Sequence, residues 1–156
     1  MTAEDTFVIA RVLHVIGVVL WIGGVAFIAT VLLPALRRMP DSENRLVLFG
    51  AVEGRFKNQA RVVTLITGLS GIYMLAWLDA WDRYMDLSFW WVHLMTFIWL
   101  VFTLILFVVE PLLVRSGIPA RAGRDPGRTL KFIHRMLWIL LSLSLLAIFG
   151  AVAGVH

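Results

Sequence analysis

The amino-acid sequence predicts an all-α protein, an integral membrane four-helix bundle. Of the 156 residues, 60% are hydrophobic and 15% are charged, whereas average soluble domains have roughly 45–50% apolar and roughly 25% charged residues. The apolar residues form four long runs, each comparable with the roughly 20 residues that cross the hydrocarbon core of a bilayer. A soluble globular domain is excluded because it would expose these runs to water.

We expect the chain to form a single transmembrane domain over residues 1–156. Its four predicted membrane helices, called spans 1 to 4, cover residues 7–36, 62–78, 87–114 and 132–155. Span 1 follows the acidic residues Glu4 and Asp5, where a cleaved secretory signal would be basic, so we expect span 1 to be retained.

The connections between the spans differ in their predicted structure. In residues 44–60, apolar residues recur at helical spacing between charged residues. This pattern predicts a surface-lying helix or an extended start of span 2. Glycines and prolines between residues 117 and 127 predict a loop before span 4. No internal repeat and no second domain are evident.

Positive charge predicts the orientation of the bundle. Twelve of the 14 lysines and arginines lie in or beside two connections, six in residues 37–61 and six in residues 115–135. Cytoplasmic loops carry such an excess, which predicts that both basic connections are cytoplasmic and that both termini are outside (N-out/C-out). We therefore expect a multi-pass protein of the bacterial inner membrane. Since orientation accounts for the net charge of +4, no nucleic-acid partner is inferred.

Two histidines within the spans are the leading candidates for a cofactor site. His14 in span 1 and His93 in span 3 are predicted to lie at depths that differ by no more than about 5 Å. Ionisable residues within a membrane usually face the bundle interior and mark function, and one imidazole from each of two helices can ligate a haem iron or a metal. The alternative is that both histidines hydrogen-bond across helices as structural residues.

One face of span 1 strengthens the haem interpretation. The residues that share this face with His14 at steps of three and four are Arg11, Gly17, Trp21 and Gly24. The glycines allow the close approach of a flat ring, and Arg11 is a candidate partner for haem propionates. The alternative is that these glycines allow close helix packing.

A second polar group is predicted at the cytoplasmic side of the bundle. Arg61, Glu110 and His134 start or end their spans at similar depth. They are candidate catalytic residues, as a proton relay or as the polar end of a quinone site, with His134 the group suited to titration near neutral pH. The alternative is an interfacial ion pair in which Glu110 reaches towards water.

Copper is the alternative metal. There is no cysteine, which excludes disulfides and thiolate metal sites. Met74, Met85 and Met95 lie towards the predicted outer side, and thioether plus imidazole suits Cu(I). Methionine also fills irregular apolar gaps.

Short motifs in spans 1 to 3 resemble those of CopD-like membrane proteins, a group that includes the HemJ-type protoporphyrinogen oxidases. They are Leu13-His14-Val15-Ile16-Gly17 with Trp21-Ile22-Gly23-Gly24, Thr67-Gly68-Leu69-Ser70-Gly71 after Arg61, and Trp91-Val92-His93. The resemblance implies haem b ligation by His14 and His93 and a functional role for Arg61. Met95 stands where HemJ-type enzymes have a lysine.

The sequence therefore predicts a haem b-binding membrane protein that transfers electrons with a quinone-type partner. The alternatives are a HemJ-like oxidase with protoporphyrinogen IX as its porphyrin substrate, a CopD-like copper transport or resistance protein, and an assembly subunit with structural histidines. Whether the chain is an enzyme stays open at this point. The small residues of span 2 are compatible with a homodimer.

Overall fold

The computed structural model confirms the all-α class. It describes residues 2–40, 42–115 and 126–154, in which no strand occurs. The four helical segments that are long and apolar enough to cross a membrane are Ala3–Arg38, Val47–Trp77, Leu87–Leu112 and Lys131–Ala153.

Span 1 begins with a capped helix. The α-helix Ala3–Phe27 follows Thr2, whose hydroxyl accepts a hydrogen bond from the Asp5 amide while the Asp5 carboxylate accepts one from the Thr2 amide, at 3.2 and 2.7 Å. This capping box satisfies amides that have no partner within the helix. The helix continues through a π-helical turn, Ile28–Leu32, into the α-helix Leu33–Arg38.

Span 2 is one continuous α-helix, Ser42–Trp77. The structure therefore favours the extended start of span 2 over a separate surface-lying helix. Asp79, with a φ of 47°, lies where the chain turns into two short 3₁₀ turns, Trp81–Tyr84 and Leu87–Phe89.

Span 3 repeats the construction of span 1. The α-helix Trp90–Leu104 passes through a π-helical turn, Ile105–Val109, into the α-helix Glu110–Arg115. In both spans a proline, Pro34 or Pro111, lies six residues after the first residue of the π-helical turn. Residues 28–38 and 105–115 are identical at five of eleven positions, so a short local repeat accompanies the shared geometry.

Span 4 is the α-helix Pro126–Ala153. The prediction that residues 126 and 127 belong to a loop is wrong: they form the first turn, where proline is favoured because its missing amide would have no partner there. The rest of the predicted loop, residues 116–125, lies outside the described residues.

Spans 1 and 2 pack along each other as an antiparallel pair, and spans 3 and 4 do the same. All four spans contribute to one buried core, for example through Val25, Val63, Phe102 and Leu141. The indole of Trp21 meets the Phe102 ring edge-on, with the ring centres 4.8 Å apart. The core is thus shared by both helix pairs.

Glycines bring the spans into close contact. A Cβ atom at Gly17 would overlap the Thr67 hydroxyl, and one at Gly68 would overlap the Trp99 indole. Lipid is as apolar as the side chains, so helices in a membrane associate through close packing of this kind. Trp99 is also held in place because its Nε1 donates to the carbonyl of Thr64 at 2.9 Å.

We expect Gly68→Ala to lower the free energy of unfolding by about 1–3 kcal/mol, the usual cost of overpacking, because the hydrogen-bonded Trp99 cannot move aside freely. The measurement is reversible unfolding in mixed micelles. Gly54→Ala is the matched control, since a Cβ atom there meets nothing within 4 Å. Equal stability of the two variants would contradict the prediction.

Candidate functional site

His14 is held by span 2 in a defined orientation. Its Nδ1 lies 2.9 Å from the backbone carbonyl of Thr67, and because a carbonyl only accepts hydrogen bonds, Nδ1 carries the proton. Gly71 makes room for the ring, since a Cβ atom there would lie 3.1 Å from the His14 Cε1. In the neutral ring this tautomer leaves a lone pair on Nε2, the arrangement found in metal-ligating histidines.

Ser70 lies beside the same imidazole nitrogen. Its hydroxyl oxygen is 3.3 Å from the His14 Nδ1 and 2.6 Å from the carbonyl of Ile66, to which it donates. Ser70 is therefore a second group of span 2 against the ring. Two small residues of span 2, Ser70 and Gly71, therefore lie against the His14 ring.

His93 is held by the 3₁₀ turns and by its own helix. Its Nε2 lies 3.1 Å from the carbonyl of Tyr84 and its Nδ1 lies 3.2 Å from the carbonyl of Phe89. A neutral imidazole has one N–H, so only one of the two carbonyls receives a hydrogen bond at a time. His93 offers Nε2 to a ligand when Nδ1 donates to Phe89.

Tyr84 fixes the turn against span 3. Thr96 donates its hydroxyl proton to the carbonyl of Val92 at 2.9 Å, so the Tyr84 hydroxyl donates to Thr96 Oγ1 at 2.7 Å. The Tyr84 and His93 rings meet edge-on with centres 5.6 Å apart. His93 is thus enclosed by a turn whose position depends on Tyr84.

Asp86 caps the second 3₁₀ turn of this loop. Its carboxylate accepts a hydrogen bond from the Ser88 amide at 2.8 Å. This hydrogen bond holds the pKa of the Asp86 carboxyl below its usual value.

His14 and His93 have separate partners in the structure. His14 contacts span 2 and His93 contacts the 3₁₀ turns between spans 2 and 3, and no hydrogen bond or ring contact joins them in the described part of the chain. Within residues 2–40, 42–115 and 126–154, no group of three or more His, Asp or Glu side chains could hold a metal ion. A cofactor bridging the two histidines would be ligated by these two rings alone.

The face of span 1 that was predicted to receive a flat ring is covered by other spans. Thr67 fills the space beside Gly17, and Phe56 fills the space beside Gly24. Trp21 is 4% exposed and packs against Phe102. These contacts favour the helix-packing interpretation for the two glycines.

Arg11 is exposed in the N-terminal half of span 1. Its guanidinium carbon is 5.9 Å from the centre of the Phe7 ring, which stacks on Trp77 with centres 4.4 Å apart. In this position Arg11 is free to pair with an anionic group at the membrane surface.

The predicted inner cluster is composed differently from the expectation. Glu110 accepts hydrogen bonds from Lys57 at 2.7 Å and from Arg61 at 2.5 Å, one on each carboxylate oxygen. The sequence analysis missed Lys57, although it lies one helical turn before Arg61 and on the same face. His134 is hydrogen-bonded elsewhere, to the carbonyl of Ala29.

The π-helical turns explain why His134 and Arg61 each donate a hydrogen bond to a backbone carbonyl of another span. In span 1 the Leu33 amide donates to Ile28 and Pro34 has no amide, so the carbonyl of Ala29 lacks a backbone partner. The His134 Nε2 donates to this carbonyl at 2.9 Å.

In span 3 a backbone carbonyl also lacks an amide partner, for the same reason. The Glu110 amide donates to Ile105 and Pro111 has no amide, so the carbonyl of Leu106 is free. The Arg61 Nε donates to it at 3.3 Å. Each proline-linked carbonyl is therefore satisfied by a side chain from another span, as backbone groups within lipid require.

Trp138 competes for the His134 nitrogen. The Trp138 Nε1 lies 2.8 Å from the His134 Nε2, yet a nitrogen that donates to Ala29 has no lone pair left for the indole. Ala29 is 0% exposed and Trp138 is 45% exposed. Because the buried group loses more when unpaired, His134 donates to Ala29.

A buried polar seam runs along span 2. Thr64 and Thr67 are 0% and 4% exposed, and the seam continues to Ser70 and His14. Three of the buried side-chain atoms here have no partner among the described residues: Trp21 Nε1, Thr64 Oγ1 and Thr67 Oγ1. The seam was not predicted from the sequence.

The methionines considered for copper have different surroundings. Met95 packs against the core cluster, whereas Met85, after the first 3₁₀ turn, is 90% exposed. These positions give no support to a shared thioether site.

Comparisons of the chain with models of known protein families, with curated proteins and with solved structures find no match. The assignment of a function therefore rests on the residues of this chain and on their contacts.

We expect Arg61→Gln and Glu110→Gln each to lower the free energy of unfolding by about 1–2 kcal/mol. This is less than for a fully buried pair, because the Arg61 and Glu110 side chains are 32% and 22% exposed. In a double-mutant cycle by unfolding in mixed micelles, the second substitution should cost less than the first. Additive costs would show that the ion pair contributes nothing to stability.

Pro34→Ala should reduce the destabilisation caused by His134→Phe. Alone, His134→Phe leaves the Ala29 carbonyl unpaired and should cost about 1–3 kcal/mol. Once the proline is replaced, the backbone can return to α-helical hydrogen bonding and supply an amide to that carbonyl. The test is the same unfolding measurement on the single and double variants. An undiminished effect of His134→Phe in the double variant would contradict the pairing.

Proposed function

We propose that the chain is a haem b-binding protein of the bacterial inner membrane that transfers electrons between a lipid-soluble donor, such as a quinol, and an acceptor. The observation that carries this proposal is the hydrogen bond from His14 Nδ1 to the carbonyl of Thr67 at 2.9 Å. In the neutral ring this hydrogen bond leaves the lone pair on Nε2, the nitrogen that would ligate a metal, and a histidine within a membrane span is costly without a function.

His93 would be the second residue to hold haem b. Its Nδ1 contact with the carbonyl of Phe89 supports a tautomer in which Nε2 has a free lone pair, and ligation would require Nε2 to give up its contact with the carbonyl of Tyr84. The resemblance of the segments around both histidines to CopD-like proteins supports the same pair. When bound, haem b supplies the one-electron chemistry, and the chain supplies ligation, orientation and charge.

The other residues have distinct roles in this proposal. Arg11 neutralises propionates at the outer surface, since its guanidinium is exposed and carries no carboxylate partner in the described part of the chain. Gly17, Trp21 and Gly24 position span 2, and with it Thr67, rather than contacting the ring.

Lys57, Arg61 and Glu110 form the polar inner end of the bundle, where a quinone headgroup would find hydrogen-bond donors.

The purified protein, produced with an adequate haem supply, should show a Soret band, and His14→Ala and His93→Ala should each abolish or shift it. The measurement is an absorbance spectrum with a reduced-minus-oxidised difference. His156→Gln is the control, because this residue follows the predicted span 4 in the sequence. The absence of a Soret band, or an unchanged band in both span variants, would refute the proposal. Stoichiometric copper in a haem-free preparation would favour the transport alternative.

A further inference from the structure

A groove of about 770 Å³ lies between spans 1 and 2. It faces away from the core, because several of its apolar side chains are about half exposed. Its apolar walls include Val19, Leu20, Gly23 and Phe27 of span 1 with Leu48 and Val52 of span 2. Such a surface lies against the bilayer rather than against another part of this chain.

Gly23 leaves empty space in the groove because it has no side chain. A Cβ atom at Gly23 would meet nothing within 4 Å, whereas one at the neighbouring Gly24 would overlap the Phe56 ring. Gly24 therefore serves the contact between the spans, and Gly23 leaves an open channel beside it. A larger side chain at position 23 would occupy this channel without disturbing the core.

Two polar residues, Arg55 and Gln59, belong to the same groove. They lie one turn apart on span 2, next to Lys57 and Arg61, which contact Glu110 of span 3. Both precede residues 62–78 of span 2, which contain no charged residue. On span 1, residues 12–36 contain no Asp, Glu, Lys or Arg. The groove thus joins an apolar wall on span 1 to polar side chains on the basic, N-terminal part of span 2.

Arg55 carries an unbalanced charge. Both ion pairs in the described part of the chain involve Glu110, and no carboxylate there pairs with Arg55. A guanidinium forms strong hydrogen bonds with phosphate oxygens, and basic sites between membrane helices on the cytoplasmic side bind anionic lipid headgroups. A quinone has no negative charge to complement Arg55.

We propose that this groove binds an anionic phospholipid from the leaflet next to the basic connections. One acyl chain lies along Gly23 between the two spans, and the headgroup phosphate pairs with Arg55. Gln59 donates a further hydrogen bond at the same level. The site is independent of His14 and His93, so it stands whether or not the chain binds haem.

The test uses the full-length protein in phosphatidylcholine vesicles that contain spin-labelled phosphatidylglycerol or spin-labelled phosphatidylcholine. The fraction of immobilised label gives the relative association of the two lipids. We expect the wild type to prefer phosphatidylglycerol and Arg55→Gln to reduce that preference about five-fold. Arg37→Gln, which removes an equal charge from an exposed residue outside the groove, should retain most of it.

Gly23→Leu provides a steric test of the same site. It should lower the immobilised fraction of both labelled lipids while circular dichroism shows an unchanged helix content. Arg55→Gln changes only an exposed side chain, so its result stands even if Gly23→Leu fails to fold.

Several results would overturn the proposal. One is an absence of preference in the wild type, and another is equal losses in Arg55→Gln and Arg37→Gln, which would indicate diffuse surface charge. Displacement of the labelled lipids by a quinone would indicate a quinone site. A change of monomer–dimer ratio in Gly23→Leu would indicate an interface with a second copy of the chain.

Discussion

The need to pair backbone carbonyls within the membrane is the constraint on which this bundle depends. Pro34 and Pro111 interrupt the backbone hydrogen bonding of spans 1 and 3, and each leaves one carbonyl, of Ala29 and Leu106, without an amide. Both carbonyls lie in helices that are long and apolar enough to cross a membrane, where an unpaired backbone group is costly, and a side chain from another helix supplies the donor. His134 and Arg61 do so, and each has a further side-chain contact, His134 with Trp138 and Arg61 with Glu110.

Close packing complements these polar contacts. Glycines let Thr67, Phe56 and Trp99 approach neighbouring helices, and Gly71 admits the ring of His14. The close contact between spans 1 and 2 that the glycines allow therefore also orients His14, the candidate ligand. The carbonyl of Thr67 reaches the His14 Nδ1 only when these two spans are in contact. Packing and ligand geometry are two results of one helix interface.

The sequence was sufficient for the parts of the structure that depend on composition and period. Four apolar runs predicted four membrane helices, and the opposite charges of Arg61 and Glu110 at similar depth predicted their pairing. The position of His134 in the sequence did not predict its contact with the Ala29 carbonyl. A proline in a helix can kink the helix, end it or widen one turn, and the sequence does not distinguish these outcomes. The structure does, because it shows which side chain donates to the freed carbonyl. Gly17 and Gly24 illustrate the same limit: their missing side chains indicate close approach, but not whether a ligand or a helix approaches.

The exchange of hydrogen bonds between the two helix pairs has a consequence for biosynthesis. Span 1 depends on span 4 for its Ala29 carbonyl, while span 3 depends on span 2 for its Leu106 carbonyl. During translation the first pair of helices is complete long before span 4 leaves the ribosome, so it waits in the bilayer with an unsatisfied carbonyl and with Lys57 and Arg61 lacking their counter-charge. Spans 1 and 2 therefore do not satisfy all of their own polar groups, and spans 3 and 4, which are made later, complete these hydrogen bonds and the ion pair.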